Sequence, residues 1–234
     1  MSLFHLEKNA PQASNPASLC GVYWSARDMD NASPLGNHHF ITFVYKNEAQ
    51  ADRLTKKWKA LFPAIGYGMG FWTQQNEKKK PVYFSSMGFG RKDGNLSPNF
   101  NHKADCKALR EVIDPKNQTS WRKPDYDYEG HRMPYAQAVP PYIAPDAEEK
   151  LMDAVVQRFA NFDFNYKAGK RYSYSLVNAN CATVINTVFK LVGYPKNQRE
   201  LLGEFSGIDW GEEKAIPDDL FAPPARPWKL SDRS

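Results

Sequence analysis

The sequence predicts an α+β fold in which an antiparallel sheet packs against helices. Short segments rich in aromatic and β-branched residues fill the first half of the chain, and helical stripes of apolar residues dominate the second half. The 234 residues, of which 41% are hydrophobic, are sufficient for one well-packed core. We therefore expect a loose, Pro- and Asn-rich arm at residues 1–18 and a single domain at residues 19–234.

The expected strands come early in the chain. Residues 21–26 and 38–45 read as the first two strands, and residues 65–75 and 81–90 read as a hairpin around the polar turn "NEKKK". Between these pairs, "NEAQADRLTKKWKALF" has the apolar spacing of an amphipathic helix. Asn47 and Gln50 are spaced as a capping box at the start of that helix.

Helices are expected mainly in the second half. Residues 91–145 predict an irregular insertion, apart from a short helix around "KADCKALREVI". "PDAEEKLMDAVVQRFANF" predicts a long helix with acids in its first turn. "CATVINTVFKLVG" predicts a helix that Gly193 ends, and "NQRELLGEF" a short one before a Pro-rich tail.

Charge and hydropathy narrow the possible partners. The formal charge of +5, from 31 basic and 26 acidic residues, is too small an excess to favour a nucleic-acid partner. No stretch is long and apolar enough for a membrane span, so no stable membrane anchor is expected. The first residues also lack the basic start and apolar core of a signal peptide, which indicates a protein made in the cytoplasm. An odd count of three cysteines does not make a disulfide framework.

Cys181 is the first candidate for chemistry. It lies in the first turn of the helix that follows "NANC", where Asn178 or Asn180 can cap the helix. The helix dipole and the N–H groups of the first turn lower the pKa of a thiol there, and they can stabilise an oxyanion. The alternative is a buried cysteine that extends the apolar stripe, as Cys106 does in "DCKALREVI".

A cysteine nucleophile needs a base, and two of the five histidines open a strong strand. Strand alternation places His38 and His39 on opposite faces, so one of the two faces the packed helices. A zinc site built from His38, His39, His102 and Cys106 matches no familiar ligand spacing. We therefore expect no metal and no cofactor.

Three segments carry a resemblance to a known family. "GNHHFITF", "PVYFSSMGFG" and "YSLVNANCATVINTVFKLVG" together resemble the circularly permuted branch of the papain-like, NlpC-type cysteine hydrolases. In that branch the histidine strand precedes the cysteine helix. The resemblance implies a papain-like sheet packed against the Cys-bearing helix, with Cys181 as nucleophile. It implies His38 as the base, with His39 as the open alternative. It also implies that a residue of the next strand orients the base, and Ser85 and Ser86 are the nearest candidates for that role. Tyr83 or a backbone carbonyl is a further option for that third role.

The family includes bacterial amidase toxins that are delivered by type VI secretion. The resemblance therefore implies an amidase or peptidase that cleaves peptidoglycan stem peptides in the periplasm of a target cell. An immunity protein and a delivery partner would accompany such a toxin. Two other functions stay open at this point: a lipid acyl hydrolase or acyltransferase of the same fold, and a non-enzymatic binding domain that uses residues 121–142 as its recognition surface.

Overall fold

The computed structural model describes residues 21–28, 37–72, 80–113, 135–138, 148–175, 179–194 and 216–224. Within these ranges the chain has an α+β fold, with helices packed on an antiparallel sheet, as the sequence predicts. The arm at residues 1–18, the short helix at residues 197–205 and most of the 121–142 segment lie outside the described residues.

The described part of the chain contains strands, α-helices and one 3-10 helix. The strands are β1 (Gly21–Asp28), β2 (Asn37–Tyr45), β3 (Gly68–Trp72), β4 (Lys80–Lys92), β5 (Asn95–Phe100) and β6 (Tyr135–Ala138). The helices are α1 (Glu48–Trp58), α2 (Lys103–Ile113), α3 (Glu148–Lys167), α4 (Cys181–Leu191) and the 3-10 helix Asp218–Phe221.

The strands form one six-stranded sheet in the order β3-β4-β2-β1-β6, and β5 pairs with β4 outside this path. β3 and β4 pair antiparallel, as predicted for the two halves of a hairpin. The short helix expected around "KADCKALREVI" is present as α2. The rest of the described part of residues 91–145 is not irregular, since it contains the end of β4 and all of β5 and β6. The turn from β4 to β5 is Asp93-Gly94, where both residues have a positive φ. Asp-Gly is a strong hairpin signal, because this turn type requires positive φ at both positions.

Most of the core lies on one face of the sheet. Ile41, Phe43 and Tyr45 of β2 point to this face and pack against α1, α3 and α4. Trp24 of β1 stacks on Phe189 of α4, with ring centroids 5.6 Å apart. We call this the core face.

The sheet opens beside the first residues of β2. β2 begins at Asn37, but its pairing with β4 runs only from Phe40, opposite Gly88, to Tyr45, opposite Tyr83. Beyond Gly88, β4 has no β2 partner and pairs with β5 along its other edge. The N–H groups of β2 next to this opening therefore have no β4 carbonyl opposite them, and the start of α4 lies there.

Candidate active site

Cys181 is the first residue of α4 and lies at the opening between β2 and β4. Asn180 caps the helix, since its Oδ1 accepts the N–H of Thr183 at 3.1 Å. Of the two asparagines considered as caps, Asn180 therefore holds this position. The Cys181 Sγ accepts the backbone N–H of His39 at 3.3 Å, in the place of a strand partner. The thiol is buried and is not in a disulfide.

His38 lies on the face of the sheet opposite the core face. Its ring stacks on Phe40, two residues along the strand, with centroids 5.9 Å apart. Nε2 lies 3.5 Å from Oδ2 of Asp105, and the side chain also hydrogen-bonds to Cys181. Because Nε2 faces Asp105, Nδ1 is the nitrogen available to the sulfur. His38 thus lies between the thiol and a carboxylate.

Asp105 was not among the residues singled out in the sequence. It is 0% exposed and lies in the first turn of α2, which packs on the face that carries His38. Asp105 stands one helical turn before the buried Leu109, so the acid occupies an inward position of the helix. An acid is almost never fully buried without a partner. An acid at an inward position of a predicted helix is therefore the sequence signal that could have indicated Asp105.

A turn at Asn101 places α2, and therefore Asp105, against the sheet. Asn101 has a φ of +46°, a left-handed conformation that asparagine tolerates better than most residues. Its backbone N–H donates to the carbonyl of Ser86 at 2.8 Å, and its Oδ1 accepts the N–H of Ser86 at 2.9 Å. Its Nδ2 donates to the carbonyl of Gly66 at 2.8 Å. These bonds fix the start of α2 relative to β4.

The electrostatics favour an ion pair between Cys181 and His38. Burial alone would lower the pKa of His38, but the charge of Cys181 and the attraction to Asp105 outweigh it and raise the pKa to about 9. Burial alone would raise the pKa of Cys181, but the His38 charge and the hydrogen bonds from His38 and from the His39 and Ala182 N–H groups lower it. Each charge therefore stabilises the other, which shifts the pair toward a thiolate next to an imidazolium.

His39 has a different environment, which distinguishes it from His38. Its ring is buried on the core face, and its Nδ1 accepts the indole N–H of Trp24 at 2.9 Å. Burial and the nearby charge of His38 lower the pKa of His39 to about 3, so this ring is neutral. The side chain that faces the helices is thus the one bound to Trp24, and His39 donates its backbone N–H to the sulfur.

The serine and tyrosine candidates for the third role contact groups other than His38. Ser85 is opposite Phe43 in the sheet, so its side chain points to the core face, and its hydroxyl bonds to Tyr45 at 2.7 Å. The proposal of Ser85 as the orienting residue is therefore not supported, because strand alternation places it on the wrong face. The Ser86 hydroxyl is 3.9 Å from the sulfur of Cys106, and the hydroxyl of Tyr83 donates to Glu48.

Tyr174 is a further neighbour of the thiol that the sequence did not indicate. Its N–H donates to the carbonyl of Gly94 at 2.8 Å, which ties the segment before α4 to the β4–β5 turn. The next residue, Ser175, forms a bridge with Ala179 and so folds the chain back toward Cys181. Burial and the charge of Cys181 raise the pKa of the half-buried Tyr174 to about 12.

Within the described residues, no group of three or more His, Cys, Asp or Glu side chains is placed to hold a metal ion. In the same part of the chain, no helix is long and apolar enough to cross a membrane. Comparison with protein-family models, with curated proteins and with solved structures finds no match to the chain.

Proposed function

We propose that the protein is a cysteine hydrolase of the permuted papain-like type, with Cys181 as nucleophile, His38 as acid and base, and Asp105 as the residue that orients His38. The observation that carries the proposal is the arrangement of these groups: the His38 ring lies between the thiol and a fully buried carboxylate, with Nε2 and Oδ2 3.5 Å apart. Each group comes from a different element, and the shifted pKa values of Cys181 and His38 favour a thiolate next to an imidazolium.

The reaction would proceed in two steps. The Cys181 thiolate attacks an amide carbonyl carbon, and the proton on Nδ1 of His38 passes to the leaving nitrogen as the C–N bond breaks. The amine departs and leaves a thioester. Nδ1 then takes a proton from water, the hydroxide attacks the thioester, and the departing thiolate is again paired with the imidazolium. One amide and one water thus give one acid and one amine.

Each tetrahedral intermediate carries a negative oxygen that needs donors. The N–H groups in the first turn of α4 lie beside the sulfur, and the helix dipole favours negative charge there. The hydroxyl of Tyr174, which is close enough for the charge of Cys181 to raise its pKa, would be a second donor. A high pKa for this hydroxyl keeps it protonated and able to donate.

The substrate class rests on the family resemblance of the segments around His38 and Cys181. It indicates an amide bond in peptidoglycan stem peptides, cleaved by a toxin that a type VI secretion system delivers into the periplasm of a target cell. An immunity protein in the producing cell and a delivery partner follow from the same proposal.

The function is tested by exporting the protein to the periplasm of a test bacterium and measuring lysis. We expect lysis with the wild-type chain and no lysis with Cys181→Ala or His38→Ala at equal protein levels. The matched control is Cys106→Ala, which removes the other described free thiol and should still lyse cells. Purified stem peptides, analysed by mass spectrometry, identify the cleaved bond. Equal lysis by the wild type and both site variants would refute the assignment of the site.

A further inference from the structure

A side chain outside the three proposed catalytic groups faces His38. Asn99 of β5 lies directly opposite Gly88 of β4, so its side chain shares the face of the sheet with His38. Its Oδ1 is buried, and among the described residues it has no hydrogen-bond partner. A buried acceptor without a partner is unusual, because burial removes its hydrogen bonds to water without replacing them.

Distances from two glycines of β4 show which end of this amide faces His38. A Cβ placed on Gly88 would lie 3.3 Å from Oδ1 of Asn99 and 3.3 Å from Nε2 of His38. A Cβ placed on Gly90 would instead lie 3.3 Å from Nδ2 of Asn99. The oxygen end of the amide is therefore the end next to the histidine. The opposite orientation would bring the two N–H donors Nδ2 and Nε2 together, which is unfavourable.

Asp105 occupies the other side of the same ring nitrogen. Nε2 lies 3.5 Å from Oδ2 of Asp105, which is long for a hydrogen bond between nitrogen and oxygen. Nε2 therefore has two acceptors on neighbouring sides: Oδ2 of Asp105 at 3.5 Å, and the Asn99 amide oxygen, which lies across the space above Gly88 from it.

We propose that Asn99 Oδ1 is a second acceptor for the Nε2–H of His38, used when the ring turns from the sulfur toward the leaving group. This inference rests on the proposed hydrolase function. Asn99 is a positioning residue, since it acts only through His38. It contacts neither the sulfur nor the scissile bond.

The proton accounting shows why a second acceptor helps. During acylation Nδ1–H must move from the sulfur to the leaving nitrogen, and this rotation carries Nε2–H away from Asp105. A hydrogen bond to Asn99 keeps the turned ring bound on its other side while Nδ1 gives up its proton. Nε2 keeps its proton throughout, so Asn99 neither gains nor loses one. A leaving group that departs as an anion needs no proton from Nδ1 and therefore little help from Asn99.

The test compares two substrates that share one acyl group. One is an alkyl amide, whose leaving nitrogen must be protonated, and the other is an aryl ester, whose phenolate leaves without a proton. Asn99→Leu removes the acceptor at similar volume, and Asn99→Asp keeps an oxygen at the same place. Ser97→Ala, two residues earlier on the same face of β5, is the matched control.

For Asn99→Leu we expect kcat/KM on the amide to fall on the order of tenfold or more, and kcat/KM on the ester to change by no more than about twofold. Asn99→Asp should recover most of the amide activity, and Ser97→Ala should behave as wild type. An equal loss on both substrates would show a structural role only and would overturn the inference.

A measurement that needs no substrate turnover tests the contact between Asn99 and His38 directly. After Cys181 is alkylated with iodoacetamide, the pKa of His38 is followed by NMR in the wild type and in Asn99→Leu. A lower His38 pKa in Asn99→Leu supports the contact, and an unchanged pKa overturns it. If the wild type hydrolyses neither substrate, the proposed hydrolase function fails, and this titration alone decides whether Asn99 binds His38.

Discussion

Replacing Asp105 with asparagine is the most direct test of how the proposed site works. Asp105→Asn removes one charge from a fully buried position and keeps the size and shape of the side chain. An amide oxygen in place of the carboxylate can still accept Nε2–H of His38. The variant therefore isolates the electrostatic contribution of the carboxylate from its contribution to packing.

The expected size of the effect follows from the environment of His38. Its pKa is raised to about 9 although burial opposes this, and Asp105 contributes through both a hydrogen bond and its charge. A carboxylate next to a partly buried histidine shifts the pKa by roughly 1–3 pH units. We expect Asp105→Asn to lower the His38 pKa by about 1–2 pH units, which corresponds to roughly 1.4–2.7 kcal/mol.

Alkylation by iodoacetate measures this without a substrate. The rate rises with pH as Cys181 loses its proton, and it falls again as His38 loses the positive charge that attracts the anionic reagent. In the wild type the falling limb should lie near the His38 pKa of about 9. In Asp105→Asn the falling limb should move to lower pH, and the rising limb should move to higher pH because the imidazolium that stabilises the thiolate is weaker.

A surface acid provides the control. Asp163→Asn removes a carboxylate that pairs with Lys167 at 2.9 Å on α3, and it should leave both limbs unchanged. We expect amide hydrolysis by Asp105→Asn to fall on the order of 10²-fold. If a folded Asp105→Asn protein shows the wild-type alkylation profile, Asp105 does not support His38 and the proposed triad is wrong.

Substitutions at three other residues separate structural from chemical roles. His39→Leu removes the acceptor of the buried Trp24 indole N–H, so urea denaturation should show a loss of roughly 1–3 kcal/mol while alkylation of Cys181 stays close to wild type. Because the folded His39 pKa of about 3 lies below the ordinary 6.5, the unfolded chain binds more protons as the pH falls below 6.5. Stability should therefore fall by about 2 kcal/mol on acidification to near pH 5, and His39→Leu should lack this part of the loss; an identical pH dependence would contradict a buried neutral ring. Gly88→Ala places a Cβ 3.2 Å from the Cβ of Phe40 and 3.3 Å from His38 Nε2, so alkylation should slow strongly, whereas Gly66→Ala, with 3.8 Å to its nearest atom, should not affect it. Asn101→Ala loses the bonds that fix the start of α2 and should cost about 2 kcal/mol in thermal unfolding; an unchanged melting temperature would argue against this turn as the anchor of Asp105.

Features set by local sequence could be predicted. Helix α1 begins after Asn47, whose Oδ1 accepts the Gln50 N–H at 2.9 Å, and the four-residue pattern that predicts this cap is visible in the sequence. Helix α4 ends before Gly193, whose φ of +100° suits glycine and few other residues. The position of Cys181 at a helix start follows from the same kind of local pattern. The Asp93-Gly94 hairpin was equally local, but the expectation of an irregular insertion at residues 91–145 overlooked it.

The partners of Cys181 could not be predicted, because they depend on where separate elements meet. Alternation along β2 shows that His38 and His39 point to opposite faces, but it does not show which of them reaches the sulfur. That depends on the pairing of β2 with β4 ending at Phe40 and Gly88, which leaves the edge of β2 open to the start of α4. His38 then meets the thiol through this opening from the face opposite the core.

By itself, the sequence determined the α+β class, the helix that begins at Cys181, and the strand whose histidines are the candidates for a base. Periodicity, helix caps and turn residues act over a few neighbours, and they carry this much information. Only the tertiary structure placed the His38 side chain between the thiol and Asp105 of α2, and bound the His39 ring to Trp24. Those contacts join residues far apart in the chain, and their free energy depends on burial and on charges that exist only when the sheet, α2 and α4 are packed together.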